Sequence, residues 1–408
     1  MGFLSSNTKK SADEDISLST STGVPKKILS ETVSDGSVRA YEADASELEA
    51  AVAGTMAAAT AVLLFKTQIG LGVLSVPSVL GVLGIVPGII ILVALGVMTT
   101  WAGWMVGRFK LRHPDVYSVA DVGYMLGGRI GREFIAIAYW LYMTCVVGSG
   151  LLSSIALNAI SMHGTCTAVF VAVSAIAVFL LASIQTLEKL SFVGWMGSIS
   201  ILAALLTVTV AVAVSDRPAA APQTGPYDID IIIWGKPSFA GAMGAIGQLL
   251  FAWAGTPAMF GLIAEMRRPQ DFTKALLACQ AVMVSLYLAV AIVVYYFCGQ
   301  YVASPALGSA GTLIKRIAYG ILSSLEFLGS ILCLSLEAGM WFYDYAPEWR
   351  ADRTLRYRAL FAWAVFVGAA GIFICGAGSY GSVVDIKTSY QSKGGASPWG
   401  CADNSGSV

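Results

Sequence analysis

Two short stretches of this sequence place polar and helix-breaking residues inside otherwise apolar segments. The first is FKTQIGLGVLSVP, from Phe65 to Pro77, and the second is QLLFAWAGTP, from Gln248 to Pro257. A helix that breaks within a bilayer exposes N–H groups with positive partial charge and carbonyl groups with negative partial charge. Together these ends match the carboxylate and the ammonium of a zwitterion. The two stretches therefore indicate a binding site for a small zwitterionic molecule.

The spacing of the two stretches is the same. A glutamine precedes a proline by nine positions in each, Gln68 before Pro77 and Gln248 before Pro257, although such a spacing also arises by chance. Paired interrupted segments at corresponding positions of two halves are typical of secondary transporters with inverted repeats. The alternative is close packing of helices through small residues, which the GxxxG spacing at Gly103–Gly107 also indicates. Both interpretations stay open on these residues alone.

The composition places these stretches in a membrane protein. Of the 408 residues, 56% are hydrophobic and only 12% are charged, and the mean hydropathy is +0.73. Soluble domains carry about 25% charged residues. Basic and acidic residues both number 25, so the chain lacks the basic excess that nucleic-acid binding requires. We therefore expect the lipid bilayer and a small molecule as partners, and no nucleic acid.

The chain divides into three parts. Residues 1–50 are rich in Ser, Thr, Asp, Glu and Lys, which predicts a disordered cytosolic tail. No apolar stretch of the kind found in secretory signals follows the first methionine. Residues 51–382 form the predicted transmembrane domain, and residues 383–408 form an outer or lumenal tail.

The transmembrane domain is predicted to be all-α. A bilayer core needs about 20 mostly apolar residues per helix. By this criterion nine spans are predicted, at residues 57–82, 85–107, 134–160, 166–183, 191–214, 238–264, 275–298, 312–336 and 359–379.

Basic residues in alternate loops set the predicted orientation, because cytosolic loops carry the excess of Lys and Arg. These loops hold Arg108, Lys110, Arg112, Arg129 and Arg132; Lys189; Arg267, Arg268 and Lys274; and Arg350, Arg353, Arg356 and Arg358. The intervening loops hold few, although Lys315 and Arg316 run against the rule. The N-terminus is therefore expected in the cytosol, and nine spans place the C-terminus outside or in a lumen.

Several single residues invite a functional interpretation. Lys66 is best interpreted as an anchor near the cytosolic face. Glu265, beside Arg267 and Arg268, is a candidate gate residue or a simple ion pair. Glu326 and Glu337 lie in or near an apolar span, where an ionisable group is a functional candidate by default. The alternative is that both residues merely mark an unnatural junction in the sequence.

The remaining candidates are histidines and aromatic residues. His113 and His163 lie in loops, where ordinary exposed side chains are favoured over proton relays. Large residues in the spans could line a pocket for an apolar side chain, although packing is their commoner role. They are Tyr139, Trp140, Tyr142, Phe251 and Trp253.

The sequence shows no sign of an enzyme or a metal site. The seven cysteines lack CxxC and Cys/His ligand spacings, and the chain has no GxSxG, HExxH, P-loop or dinucleotide motif. We therefore expect no metal, no cofactor and no catalytic residue. The sequence gives no signal for an oligomeric state.

Several long motifs resemble the amino acid/auxin permease family, and the fungal neutral and aromatic amino acid permeases in particular. They are KTQIGLGVLSVPSVLGVLGIVPG, HPDVYSVADVGYMLGGRIGREF, HGTCTAVF, FAWAGTPAMFGLIAEMRRPQDFTKAL and GSYGSVVDIKTSYQSKGGASPWGCADNS. The resemblance implies a LeuT-like inverted-repeat bundle with broken first and sixth helices. It also implies transport of neutral amino acids, bulky apolar or aromatic, coupled to protons or another ion.

The resemblance also assigns a substrate site, position by position. The main-chain part of the substrate would contact Thr67, Gln68, Gly70, Leu71 and Gly72. The facing wall would consist of Trp253, Ala254, Gly255 and Thr256.

The chain departs from the family between Ile321 and Glu337, where about two of eleven spans are missing and the second repeat is truncated. A splice form, a gene-model error and a true deletion are all compatible with the sequence. The expected function is proton-coupled symport, at the plasma membrane rather than the vacuolar membrane. The alternative is a sensor or regulatory form that binds an amino acid without transporting it.

Cys166 and Cys401 lie in polar flanks predicted to be on the outer side, where oxidation is allowed. We predict a disulfide between them that ties the C-terminal tail to the third outer loop. Mass spectrometry of peptides from the unreduced protein should find these two cysteines linked, and recovery of both thiols free would refute the pairing.

Overall fold

The computed structural model describes residues 60–65, 67–69, 71–151, 167–182, 187–214, 217–218, 221–222, 224, 228–253, 255–266, 268–302, 334–351 and 354–393. Within these ranges the regular structure is helical and contains no strand. The predicted tail of residues 1–50 and the predicted disulfide partners Cys166 and Cys401 lie outside them.

The helices follow the apolar segments of the sequence. They are α1 (Val76–Leu83), α2 (Ile85–Arg112), α3 (Val119–Leu151), α4 (Thr167–Ala182), α5 (Leu187–Val214), α6 (Phe239–Ala252), α7 (Met259–Glu265), α8 (Phe272–Cys298), α9 (Leu336–Ala351) and α10 (Leu355–Lys393). Short 3-10 helices cover Leu71–Ser75, Thr256–Ala258, Pro269–Asp271 and Gly299–Tyr301.

Five helices in the described part of the chain are long and apolar enough to cross a membrane. They cover Ile85–Arg112, Met196–Val214, Phe239–Ala264, Pro269–Tyr301 and Leu355–Gly381, and Val169–Leu180 is a shorter apolar helix. They coincide with the second, fifth, sixth, seventh and ninth predicted spans. The eighth predicted span falls almost entirely outside the described residues, so the count of nine remains a prediction. Helix α10 continues to Lys393, past the predicted start of the tail at residue 383.

Helix α2 lies at the centre of the packing and contacts α1, α7, α8 and α9. Glycines on α2 face large side chains of its neighbours. A Cβ atom at Gly107 would lie 2.5 Å from the ring of Phe272, and one at Gly103 would lie 3.0 Å from the sulfur of Met259. Close packing of helices, which the GxxxG spacing predicts, is therefore present on this helix.

The extensive contact between α6 and α10 joins the middle of the chain to its C-terminal helix. A Cβ atom at Gly381 would lie 2.9 Å from the carbonyl oxygen of Ala240, so the two backbones approach closely. Helix α10 also packs on α9, where Gly368 faces Ala338. Helix α10 thus packs against both α6 and α9.

Helix α3 begins at a reciprocal cap. The backbone N–H of Asp121 donates to Ser118 Oγ at 3.3 Å, and Asp121 Oδ2 accepts from the Ser118 N–H at 2.9 Å. This pattern satisfies donors that a helix start leaves free. Non-helical backbone at Gly127 and Gly128 then divides α3 into two segments.

The predicted cytosolic ends of α2 and α9 are joined by polar contacts. His113 Nε2 lies 2.8 Å from Asp344 Oδ1, Arg112 Nη1 lies 3.8 Å from Asp344 Oδ2, and Arg108 donates to the Tyr345 hydroxyl at 3.3 Å. The side chain of Asp344 is only 3% exposed. The His113 side chain is 30% exposed, and α9 brings a carboxylate beside it that the sequence does not predict.

At the opposite end, residues 228–235 form a strap over α1, α2 and α8. The N–H groups of Ile85 and Val86 donate to the carbonyls of Ile232 and Ile233 at 3.0 and 3.2 Å. Gly235 N–H donates to the Leu83 carbonyl at 2.9 Å. The strap thus supplies partners for the free backbone groups where α1 ends and α2 begins.

Gly84, between α1 and α2, is predicted to tolerate no side chain. Its φ of +89° disfavours other residues, and a Cβ atom would lie 2.5 Å from the backbone nitrogen of Gly235. We expect Gly84→Ala to destabilise the folded protein by about 2 kcal/mol or more. Thermal unfolding in detergent measures this effect, with Gly81→Ala as the control, since its Cβ atom would meet Tyr295 at an ordinary 3.7 Å. Equal melting temperatures for the two variants would contradict the prediction.

Candidate functional site

The first candidate stretch contains a helix break. Before it, the Ile69 N–H donates to the Phe65 carbonyl at 2.8 Å. A 3-10 helix over Leu71–Ser75 follows, and α1 then starts with a proline in its first turn. The Ser75 hydroxyl donates to the Gly72 carbonyl at 2.7 Å, within the same 3-10 turn.

The second candidate stretch contains a matching break between α6 and α7. Helix α6 ends at Ala252, the N–H of Trp253 donates to the Leu250 carbonyl at 3.0 Å, and that of Gly255 donates to the Trp253 carbonyl at 2.9 Å. A 3-10 helix over Thr256–Ala258 then leads into α7. Pro257 lacks an N–H group, so a regular helix cannot pass through this position without losing a bond.

The two breaks lie against each other in the core. A Cβ atom at Gly255 would lie 2.5 Å from Gln68 Cγ, and one at Gly72 would lie 3.1 Å from the Cα of Ala252. The backbones can therefore approach because both positions are glycine. Gln68 meets residue 255 and Gly72 meets residue 252, so the segments cross in antiparallel directions.

The antiparallel crossing continues into the helices that follow. The Ser78 hydroxyl, next to Pro77, donates to Gln248 Oε1 at 3.5 Å. Each glutamine of the two stretches thus lies beside the other stretch. The equal glutamine-to-proline spacing thus accompanies a pairwise contact, in which Gln68 lies near Gly255 and Gln248 lies near Ser78, next to Pro77.

Helix α8 supplies a group that completes the second break. The Tyr287 hydroxyl donates to the Ala252 carbonyl, the last of α6, at 2.8 Å. The Tyr287 ring also packs edge-on against Trp253, with centroids 4.9 Å apart. Both aromatic side chains are at most 1% exposed. Trp253 is further fixed by α2, because a Cβ atom at Gly96 would lie 3.1 Å from its ring.

Polar side-chain atoms around the crossing have no hydrogen-bond partner among the residues that the structure describes. They are Gln68 Oε1, Trp253 Nε1 and Thr256 Oγ1. Each belongs to a side chain that is at most 6% exposed. Most buried polar atoms in proteins are hydrogen-bonded, so unpartnered ones require an explanation. Here two acceptors and one N–H donor are available to a polar ligand.

Gln280 of α8 belongs to the same region. Leu276 lies four residues before Gln280, and Val284 lies four residues after it. A Cβ atom at Gly103 of α2 would meet both Leu276 and Met259, and one at Gly96 would meet both Val284 and Trp253. Gln280 therefore lies at the depth of the second break. Its side chain is 4% exposed, and its Oε1 atom has no partner among the described residues.

The structure brings together only some of the predicted site residues. Gln68 and Gly72 meet Gly255 and the end of α6, with Trp253 and Thr256 buried beside them. Thr67 is exposed, and its hydroxyl donates to the Leu64 carbonyl of its own helix at 2.9 Å.

Other predicted residues lie wholly or partly outside the description. Gly70, Ala254 and the anchor candidate Lys66 are not among the described residues. Leu71 begins the first 3-10 helix, and the gate candidate Glu265 ends α7, but only their backbones are described.

The aromatic candidates have different positions. Trp140 is 66% exposed and thus faces away from the core, whereas Tyr142 is buried. A ring atom of Phe251 would lie 3.2 Å from a Cβ atom at Gly72, so this ring borders the crossing.

Sequence reasoning missed Tyr287 and Gln280. Both are polar residues inside the apolar segment 275–298, and that position is the signal that could have revealed them.

Comparisons with known proteins identify the family of this chain. The sequence matches the family described as "Transmembrane amino acid transporter protein" over residues 53–342. The chain belongs to this family. The matched range includes both helix breaks and the whole of α8, so the crossing lies inside the family's shared region.

Fungal relatives of this transporter-family chain are known. A "Transmembrane transporter" of Fusarium pseudograminearum is 32% identical over 75% of this chain and 64% of its own length. A "Transmembrane transporter" of Gibberella moniliformis is 29% identical over 85% of this chain and 87% of its own. The "N amino acid transport system protein" of Neurospora crassa is 34% identical over 66% of this chain and 58% of its own.

The chain thus spans less than two thirds of the length of the Fusarium and Neurospora relatives. No solved structure matches the sequence. The described residues contain no group of three or more His, Cys, Asp or Glu side chains that could hold a metal ion.

Removal of the Tyr287 hydroxyl should weaken the second break. Tyr287→Phe leaves the Ala252 carbonyl without this donor, and a buried unsatisfied carbonyl costs about 1–3 kcal/mol. We expect a lower melting temperature in detergent than that of the wild type. Tyr296→Phe is the matched control, because Tyr296 lies on the same helix and is 61% exposed. An unchanged melting temperature for Tyr287→Phe would show that the hydrogen bond does not support the break.

Proposed function

We propose that this transporter-family protein moves neutral amino acids across a membrane, with a preference for bulky apolar or aromatic side chains. The proposed mechanism is alternating access in a LeuT-like bundle, coupled to the entry of protons. The proposed location is the plasma membrane, with the N-terminus in the cytosol.

The observation that carries the proposal is the antiparallel crossing of two helix breaks in the core. Interrupted helices with exposed backbone groups near the middle of the bilayer are typical sites for substrates of secondary transporters. The unpartnered atoms of Gln68, Trp253 and Thr256 add hydrogen-bonding capacity at the same place. A zwitterion can form hydrogen bonds with these side chains.

The surroundings favour an apolar side chain on the substrate. Trp253, Tyr287 and Phe251 present ring carbons near the crossing, and the described residues place no ion pair there. A charged side chain would lose its hydration at this position without a compensating partner. This argument supports neutral over charged amino acids.

The rival proposal is a sensor that binds an amino acid without transporting it. The apparent loss of about two spans between Ile321 and Glu337 favours this alternative, because alternating access requires two complete repeats. The two proposals share one binding site and differ in whether bound substrate crosses the membrane.

Uptake measurements separate the two proposals. Cells without their own amino acid permeases should accumulate radiolabelled leucine and phenylalanine when they express this chain, and a protonophore should abolish the accumulation. Thermal stabilisation of the purified protein by leucine without any uptake would favour the sensor. Uptake that is unaffected by the protonophore would contradict proton coupling.

A variant at the crossing tests the binding site itself. Gly72→Leu would place a side chain where a Cβ atom already lies 3.1 Å from the Ala252 Cα, and would push the segments apart. We expect the affinity for leucine to fall by about tenfold or more, which corresponds to about 1.4 kcal/mol.

The matched control for this variant is Gly261→Leu. Gly261 is an exposed residue of α7, and a Cβ atom there would have no atom within 4 Å. Both variants should reach the membrane in equal amounts. Normal leucine affinity in Gly72→Leu would mean that the glycine serves packing alone.

A further inference from the structure

Glu337, in the first turn of α9, is a fully buried carboxyl group outside the crossing. Its side chain is 1% exposed, and its Oε2 atom has no hydrogen-bond partner among the residues that the structure describes. No ion pair to it occurs within that part of the chain. Buried carboxylates in proteins are normally paired or hydrogen-bonded, so this group requires an explanation.

Three of the described helices pack against α9, the helix that carries Glu337. Helix α3 contributes Leu126, which would lie 2.9 Å from a Cβ atom at Gly339. Helix α10 contributes Gly368, whose carbonyl accepts from the Ser335 hydroxyl at 3.0 Å. Helix α2 contacts the far end of α9 through Asp344 and Tyr345.

The charged groups on these helices are engaged elsewhere or point away. On α2, Arg108 and Arg112 contact Tyr345 and Asp344, and His113 contacts Asp344. Lys110 donates to the carbonyls of Pro114 and Val116 instead. None of these cations neutralises a charge on Glu337.

Among the side chains that the structure describes, the other two helices offer no counter-charge either. On α3, Arg129, Arg132 and Glu133 are exposed, and Leu126 makes the contact with α9. On α10, Arg356 and Arg358 precede Gly368 by at least ten residues, which is about 15 Å along a helix. Within the described part of the chain, no ion pair neutralises a charge on Glu337.

The depth of Glu337 is also informative. Asp344, at the predicted cytosolic end, follows it by seven residues, or about 10 Å along α9. Trp101 precedes Arg108 by the same interval on α2, and its buried Nε1 also lacks a partner among the described residues. The Glu337 carboxyl group and the Trp101 N–H group therefore lie about two helical turns farther from the predicted cytosolic end than the polar cluster of Asp344 and His113.

We propose that Glu337 binds the proton that drives transport. This inference rests on the proposed function and assigns one of its steps to a residue. The carboxylate accepts a proton from a hydronium ion of the outer solution, which leaves water, and the neutral acid is stable in the enclosed state. On the cytosolic side the acid returns the proton to water and forms hydronium again. The polar cluster of Asp344, His113 and Arg112 marks the shortest route to that side.

Infrared difference spectroscopy tests the proton site without any need for transport. The full chain in lipid should show a carbonyl-stretching band of a protonated carboxyl group that changes with pH. Glu337→Gln should lack this band. Glu133→Gln is the control and should retain it, because Glu133 is exposed on α3. Persistence of the band in Glu337→Gln, or its absence from the wild type at every pH, would overturn the proposal.

Transport in proteoliposomes tests the coupling role. An imposed inward proton gradient should drive accumulation of radiolabelled leucine by the wild type, and Glu337→Gln should lose this response to the gradient. A full response in Glu337→Gln overturns the inference. A wild type that transports leucine without responding to the gradient refutes proton coupling in the proposed function, and therefore the role of Glu337 in it. If no protein transports leucine, the infrared band alone decides whether Glu337 binds a proton.

Discussion

The hydrogen bond from the Tyr287 hydroxyl to the Ala252 carbonyl makes the break between α6 and α7 possible inside a bilayer. Lipid offers no partner for a backbone group that leaves a helix, so every such group needs one from the protein or from a wet cavity. The same tyrosine holds the Trp253 ring edge-on. The position of the tryptophan beside the crossing therefore depends on α8, although α8 is an uninterrupted helix.

Backbone and side-chain polar groups at the crossing differ in whether they have hydrogen-bond partners within the protein. The Tyr287 hydroxyl satisfies the Ala252 carbonyl, a backbone group at the end of α6. The side-chain atoms of Gln68, Trp253 and Thr256 have no such partner in the described part of the chain. Unpartnered buried groups destabilise a fold, and their presence at the crossing is one basis of the proposed substrate site.

The sequence predicts the helical class and the positions of the two breaks because both depend on local composition. Long apolar runs give α2 and α8, and Gly255 with Pro257 interrupts the helix wherever it packs. The reciprocal placement of Gln68 and Gln248 requires the antiparallel crossing, which no local pattern encodes. The contributions of Tyr287 and Gln280 are also tertiary, since each is an isolated polar residue in an apolar helix until the break is placed beside it. The contact of His113 with Asp344 is likewise not predictable from local sequence, because the two residues lie far apart along the chain.

The strap of residues 228–235 has a consequence for the order of assembly. The first turn of α2 receives its backbone partners from Ile232 and Ile233, which the ribosome adds only after α3, α4 and α5. Helix α2 must therefore enter the membrane before its capping groups exist. Until then, water or lipid headgroups at the surface have to solvate those N–H groups. The junction at Gly84 can close only late in synthesis, so the nascent protein reaches its final packing at this end after its first helices are already in place.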